Sequence, residues 1–182
     1  MKFSINDREI GFDHPPFIIA EMSGNHNQSL ERALEIVEAA AESGAGALKL
    51  QTFTADTITL NVKDGEFIIQ DKDSLWKGKS LYELYEEAHT PWEWHEPIMQ
   101  RARKLNILCF STPFDDTAVD FLEELDVPAY KIASPEIIHL PLIKKIATTG
   151  KPIIISTGMA SANEIDDAVR TVRKAGCEQF AL

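Results

Sequence analysis

The sequence predicts a parallel α/β sheet curled into a (β/α)8 barrel, the TIM-barrel architecture, and three observations lead there. From Phe17 onward, short apolar runs alternate with amphipathic helical stretches, as strands covered on both faces require. Polar residues recur where those runs end: Glu21, Lys49, Gln51, Thr112, Lys131, Ser134 and Ser156 lie at or near the C-terminal ends of five consecutive strands. A closed barrel gathers such ends at one mouth, whereas an open doubly wound sheet spreads them across its width. Finally, no GxGxxG or GxxxxGKS/T motif follows any strand, which weakens a nucleotide-binding open sheet. A complete barrel takes about 250 residues and eight strands. With 182 residues, the expectation is therefore the N-terminal hairpin and about six strands.

In chain order, residues 1–15 read as a β-hairpin lid: Lys2 to Ile5, a turn at Asn6-Asp7, then Glu9 to Phe12. Residues 16–182 read as the N-terminal part of a barrel domain. Its founding unit runs from Phe17 to Phe53. Phe17-Ile18-Ile19-Ala20 is a buried strand ending on Glu21; Ser29 caps a helix whose buried stripe is Leu30, Ala33, Leu34, Val37, Ala40 and Ala41. The strand Ala47 to Thr52 alternates, with Leu48 and Leu50 toward the helices and Lys49 and Gln51 toward the opposite side. An ammonium on the inside of a sheet costs several kcal/mol unless an anion meets it, which makes Lys49 the first functional candidate.

An irregular stretch to His89 follows, with the capping box Ser80 to Glu83, and one reading of it is a surface excursion packed by Leu75, Trp76, Leu81 and Tyr85. A connection this long is usually functional. Thr90-Pro91-Trp92-Glu93 reads as a second capping box opening a helix to about Leu105. Strands at Ile107–Phe110, Ala129–Ser134 and Lys151–Ile155 alternate with helices carrying Ala118, Phe121, Leu122 and Leu125, then Pro141 to Thr149, then a capped helix from Ser161. Glu178 to Leu182 begins the sixth parallel strand.

A formal charge of -11 argues against a nucleic-acid or anionic-membrane partner over the general surface, so any anionic ligand must be held by local cations. Lys49 and Lys131 are the candidates. No apolar run approaches 18 residues and no basic-then-apolar leader is visible, so a cytoplasmic protein is expected. Cys109 and Cys177 are far apart without metal-ligand spacing and read as buried free thiols.

Two lysines and several hydroxyls at one mouth suit a small phosphorylated or carboxylated anion, bound through charge-assisted hydrogen bonds. Three alternatives stay open at this level. The lysines could form buried ion pairs with Glu21 and Glu136; one of them could be the imine-forming amine of a class I aldolase; or the mouth could bind an anion without catalysis. The motifs IIAEMSGNHNQSL, ALKLQTF, FSTPFD, PAYKIASPE and GKPIIISTGM, in this order, resemble the sialic acid synthase family. TADTITL, LWKGKSLYELYEEAHTPWEWH and the EMSGNH variant place the resemblance closest to its pseudaminic acid synthase branch.

That resemblance implies condensation of phosphoenolpyruvate with an N-acetylated amino sugar to a nine-carbon 2-keto sugar acid. Lys49, Thr112, Lys131, Ser134 and Ser156 would bind the phosphate and carboxylate of phosphoenolpyruvate. Glu21 would sit near its C2, Gln51 would line the same pocket, and Glu136 would meet the acetamido sugar. Glu21 and Lys131 are the residues expected to be catalytic. A divalent cation, manganese or magnesium, would polarise the acceptor aldehyde, with ligands on strands beyond this chain. A C-terminal antifreeze-like domain and a homodimer are further implications. His26, with no partner at ligand spacing, reads as a loop-structural residue.

Overall fold

The computed structural model describes residues 3–182. The strand reading that began at Lys2 therefore lies in part outside the described residues. From Phe3 the hairpin forms as β1 (Phe3–Ile5) and β2 (Arg8–Ile10), antiparallel, with Asn6 at φ 50 in the turn. Phe3 and Ile5 enter the hydrophobic core, and the Ser4 amide donates to Gln179 Oε1 at 3.2 Å. The turn residues border a cleft with Phe17, Gly46 and Leu108, at the ends where the parallel strands begin. Gly46 has a steric reason to lack a side chain, since a Cβ there would stand 2.5 Å from the Phe17 ring.

Six strands make the main sheet: β3 (Ile19–Glu21), β4 (Ala47–Thr52), β5 (Leu108–Pro113), β6 (Tyr130–Ile132), β7 (Ile153–Ile155) and β8 (Phe180–Ala181). Their spatial order is their chain order, every neighbouring pair is parallel, and no reversal creates the switch point of an open doubly wound sheet. The sheet curls as a partial barrel. Register then decides what faces inward: Glu21 aligns with Lys49, Lys49 with Phe110, Gln51 with Thr112, and Lys131 with Ile154. Aligned residues of parallel strands share a face, so these side chains line the inside. The intervening set, including Leu48, Leu50 and Tyr130, is buried toward the helices.

The helical layer follows from the apolar stripes. Helix α1 (Leu30–Glu42) begins at Ser29, whose side chain accepts from the Arg32 amide, and buries Ala33, Val37 and Ala40. Short α2 (Ala55–Ile58) and α3 (Leu81–Ala88) belong to the excursion, α3 with the expected Ser80/Glu83 box. Helices α4 (His95–Lys104), α5 (Asp116–Glu124), α6 (Leu140–Thr148) and α7 (Ala162–Lys174) complete it, α7 with the Ser161/Glu164 box. No helix among the described residues is long and apolar enough to cross a membrane.

Two expectations are corrected. The capping box at Thr90 does not form: a 3-10 turn, Trp92–Trp94, precedes α4, and the Thr90 hydroxyl meets His26 Nε2 at 3.2 Å instead. The physical reason is that His26 is completely buried and a desolvated imidazole needs a partner more than an exposed helix end does. Leu75, read as packing the excursion, is 91% exposed.

Candidate active site

The residues singled out from the sequence fall on the inner face of the sheet and in the segments that follow its strands. Glu21 is the last residue of β3, and its carboxylate stands 3.6 Å from Lys49 Nζ. Lys49 is only 6% exposed and also donates to Thr112 Oγ1 at 3.4 Å, which joins β3, β4 and β5 through one ammonium. Burial lowers the Lys49 pKa, and Glu21 opposes that shift. Lys131, on β6, donates to its neighbour's carbonyl, Ile132 O, at 2.7 Å and to Ser156 Oγ just after β7. The pairing alternative is thus met for Lys49 with Glu21. Among the described residues no carboxylate lies within ion-pair distance of Lys131. Ser134 caps nothing; its hydroxyl accepts from the Met159 amide at 2.8 Å, linking the loops after β6 and β7.

Gln51 turns toward the β3–α1 loop, where Ser23 Oγ donates to its Oε1 at 3.1 Å. Glu136 lies in the 3-10 turn Pro135–Ile138, so the proline after Ser134 starts a turn rather than disrupting one. Its Oε2 is buried without a hydrogen-bond partner, and desolvation raises its pKa. A carboxylate oxygen left unpartnered is costly, and its place beside the mouth fits a group that completes its bonding on a ligand.

Lys131 is the group most perturbed in the mouth. Burial first, and then the positive charge of Lys49, depress its pKa to about 8, with Glu21 and Glu136 opposing. Affinity of the empty site for an anion should therefore fall as pH rises through about 8. Direct titration of phosphoenolpyruvate binding between pH 7 and 9.5 checks this, and flat affinity across that window would remove Lys131 from the binding set. The stability effect has the opposite direction. The folded chain holds this proton less tightly than the unfolded chain, so the cost of burying charged Lys131 is fully present below about pH 8. It is relieved as pH rises toward the ordinary lysine range.

A buried hydrogen-bond network behind the site was not found by sequence reasoning. On the helix-facing side, Thr52 Oγ1 contacts both His95 Nε2 at 2.9 Å and Ser111 Oγ at 2.7 Å, while His95 Nδ1 reaches Pro91 O at 3.3 Å. The Pro91 carbonyl can only accept, so Nδ1 carries the proton, Nε2 accepts from Thr52, and Thr52 accepts from Ser111. All three side chains are fully buried. The signal was present: Thr52 and Ser111 are polar at positions where the strand alternation calls for apolar residues. The β3–α1 loop has a defined backbone of its own: Ser23, Asn27 and Gln28 all occupy the left-handed region at φ 51, 47 and 57. It is held there by Gln28 Nε2 donating to Glu87 O at 2.7 Å and by the Gln28 amide donating to His26 Nδ1 at 3.2 Å. His26 thus has the loop-structural place expected of it.

The fold agrees with comparison to known proteins. The NeuB family pattern matches residues 36–182, most of the chain. The chain belongs to the NeuB family. A pseudaminic acid synthase of Helicobacter pylori is 51% identical over 160 residues, covering 88% of this chain and 46% of that protein. An N,N'-diacetyllegionaminic acid synthase of Campylobacter jejuni is 37% identical over 163 residues, covering 89% of this chain and 48% of that protein. A solved N-acetylneuraminic acid synthetase from Leptospira borgpetersenii, in complex with citrate, superposes with a TM-score of 0.84. It is 31% identical, over 99% of this NeuB-family chain and 57% of that one. The chain spans about half the length of the relatives it matches.

Proposed function

We propose that this chain carries the phosphoenolpyruvate half of a nonulosonate synthase site, which joins phosphoenolpyruvate to an N-acetylated amino sugar and releases phosphate. The observation that supports it best is the Lys49/Lys131 pair at the mouth of a protein of charge -11. One of these lysines has no carboxylate at ion-pair distance among the described residues, and hydroxyls of Thr112 and Ser156 stand beside them. Two ammoniums and nearby O–H donors match the phosphate and carboxylate of phosphoenolpyruvate, with Ser134 and Gln51 at the rim. Relatives named for pseudaminic and legionaminic acid synthesis support the product class.

In this reading C3 of phosphoenolpyruvate attacks the aldehyde carbon of the open-chain sugar, leaving a cationic C2. Water adds at C2, and collapse of the adduct breaks the C–O bond to phosphate and leaves the 2-keto acid. The negative charge of Glu21 would face C2 in that step and steady the cation or guide the water. Glu136 would accept a hydrogen bond from the sugar. The divalent cation implied by the family, manganese or magnesium, is not provided for by these residues. Among those described, no three His, Cys, Asp or Glu side chains come together to hold an ion.

Phosphate release from phosphoenolpyruvate by the intact protein, measured across a panel of acetamido sugars, tests the proposal; no release with any of them defeats it. Exchanging residues 54–89 with the matching segment of a sialic acid synthase should change sugar preference and leave phosphoenolpyruvate affinity intact. An imine-forming lysine is a second reading, favoured by the depressed Lys131. Borohydride in the presence of a carbonyl substrate would trap it, and the synthase reading expects no adduct.

A further inference from the structure

Resting on the synthase reading, we propose that His95 is a positioning residue for the anion site: through the buried chain Ser111, Thr52, His95 it sets the orientation of Gln51 and Thr112 on the inner face of the sheet. The first support is strand alternation. Thr52 follows Gln51 on β4 and Ser111 precedes Thr112 on β5, and successive strand residues point to opposite faces. Gln51 and Thr112 are register partners, so the helix-facing pair lies directly behind the inward pair. The second support is the direction of the chain. Ser111 donates to Thr52, Thr52 donates to His95 Nε2, and His95 Nδ1 donates to Pro91 O, which gives each polar proton one acceptor and leaves neither hydroxyl free to turn.

His95 is itself held in place. It opens α4, and the Phe121 ring meets its imidazole edge-on with centroids 5.3 Å apart. Trp92 stacks on Phe121 at 4.7 Å and donates its indole N–H to Phe53 O at 3.4 Å, so the support is continuous with the end of β4. Two strand ends are thereby tied to one fixed ring. On the inner face the same strand ends carry groups of the mouth: Lys49 donates to Thr112 Oγ1 at 3.4 Å, and Gln51 Oε1 accepts from Ser23 at 3.1 Å. A shift of about 1 Å in Thr112 would end that hydrogen bond and any bond its hydroxyl makes to an anion. Packing alone does not call for hydroxyls here. Leu48 and Leu50 fill the same helix-facing row with apolar side chains, whereas the Thr52 and Ser111 hydroxyls add a directional link between strands.

The intact protein tests this with inorganic phosphate and phosphoenolpyruvate as probes, titrated calorimetrically well below the melting temperature of each variant. Thr52→Val keeps the branched shape and removes the link, and it should weaken both anions about tenfold, the scale on which outer hydrogen-bond partners act on the groups they orient. His95→Asn, whose shorter amide can serve Pro91 O without reaching Thr52, should do the same. His95→Gln sets an amide oxygen where Nε2 stood and should return affinity close to that of the parent, although it melts lower for want of the ring contact with Phe121. Val172→Ala, a buried change on α7 away from the chain, should lower the melting temperature and leave affinity unmoved. Parent-like binding of both anions by Thr52→Val, or affinities that simply follow melting temperature across the four variants, overturns the positioning role. Phosphate affinity that moves as expected in a protein releasing no phosphate from phosphoenolpyruvate with any acetamido sugar would sink the synthase reading and leave the positioning role standing. A parent protein that binds neither anion overturns both.

Discussion

Lys131→Met in the intact protein is expected to abolish phosphoenolpyruvate-dependent turnover while leaving the fold nearly unchanged. Methionine reproduces the stem of the side chain and removes only the ammonium, whose partners are a carbonyl and the Ser156 hydroxyl rather than a carboxylate. No ion-paired carboxylate is left behind among the described residues, and Glu21 and Glu136 lose only the longer-range attraction of the ammonium. The loss falls on the ligand: removing one member of a desolvated charge-assisted contact costs about 2 to 5 kcal/mol, enough to lower affinity by about thirtyfold or more. Calorimetric titration with phosphoenolpyruvate and a thermal melt together check it. Near-normal affinity and rate would show that the lysine does not meet the anion.

His95→Ala should give the largest loss of stability among single changes near the site, on the order of 3 kcal/mol, from stranded buried hydrogen-bonding groups and a new cavity. It removes the acceptor for Thr52 and the donor for Pro91 O together, at a fully buried position. Denaturant unfolding measures this, and a loss below about 1 kcal/mol would mean the hydroxyl chain re-forms around water. Acid should act in the same direction on the unaltered protein. Burial depresses the His95 pKa to about 4 from an ordinary value of 6.5, so the imidazole is neutral in the fold. Between about pH 6.5 and 4 the unfolded chain takes up the proton first, and stability from this group is lost as pH falls.

The barrel and the inward set were legible because both depend on period-two alternation. Lys49, Gln51 and Lys131 stand out against apolar neighbours, and their shared face follows from strand geometry alone. What was not legible came from contacts remote in sequence. Thr90 looked like a helix cap because the local Thr-Pro-x-Glu pattern is a good one, and only burial of His26, 64 positions earlier, redirects its hydroxyl. The excursion posed the same difficulty: Trp76 and Tyr85 read as packing residues, and their place around a cavity depends on where Gln51 and Phe114 arrive. The metal, the acceptor and the pairing of subunits rest on family resemblance.

The left-handed backbone of the β3–α1 loop also limits how this sequence can drift. Ser23, Asn27 and Gln28 hold positive φ without being glycine, and a β-branched residue at any of them would add steric cost to an already unfavourable backbone region. Exchange should therefore be confined mainly to glycine, asparagine and aspartate, while exposed Glu31 and Glu35 on the adjoining helix are free to change. A library randomised across 22–36 and selected only for folding would show this asymmetry, with restricted choice at the loop and wide choice one turn later.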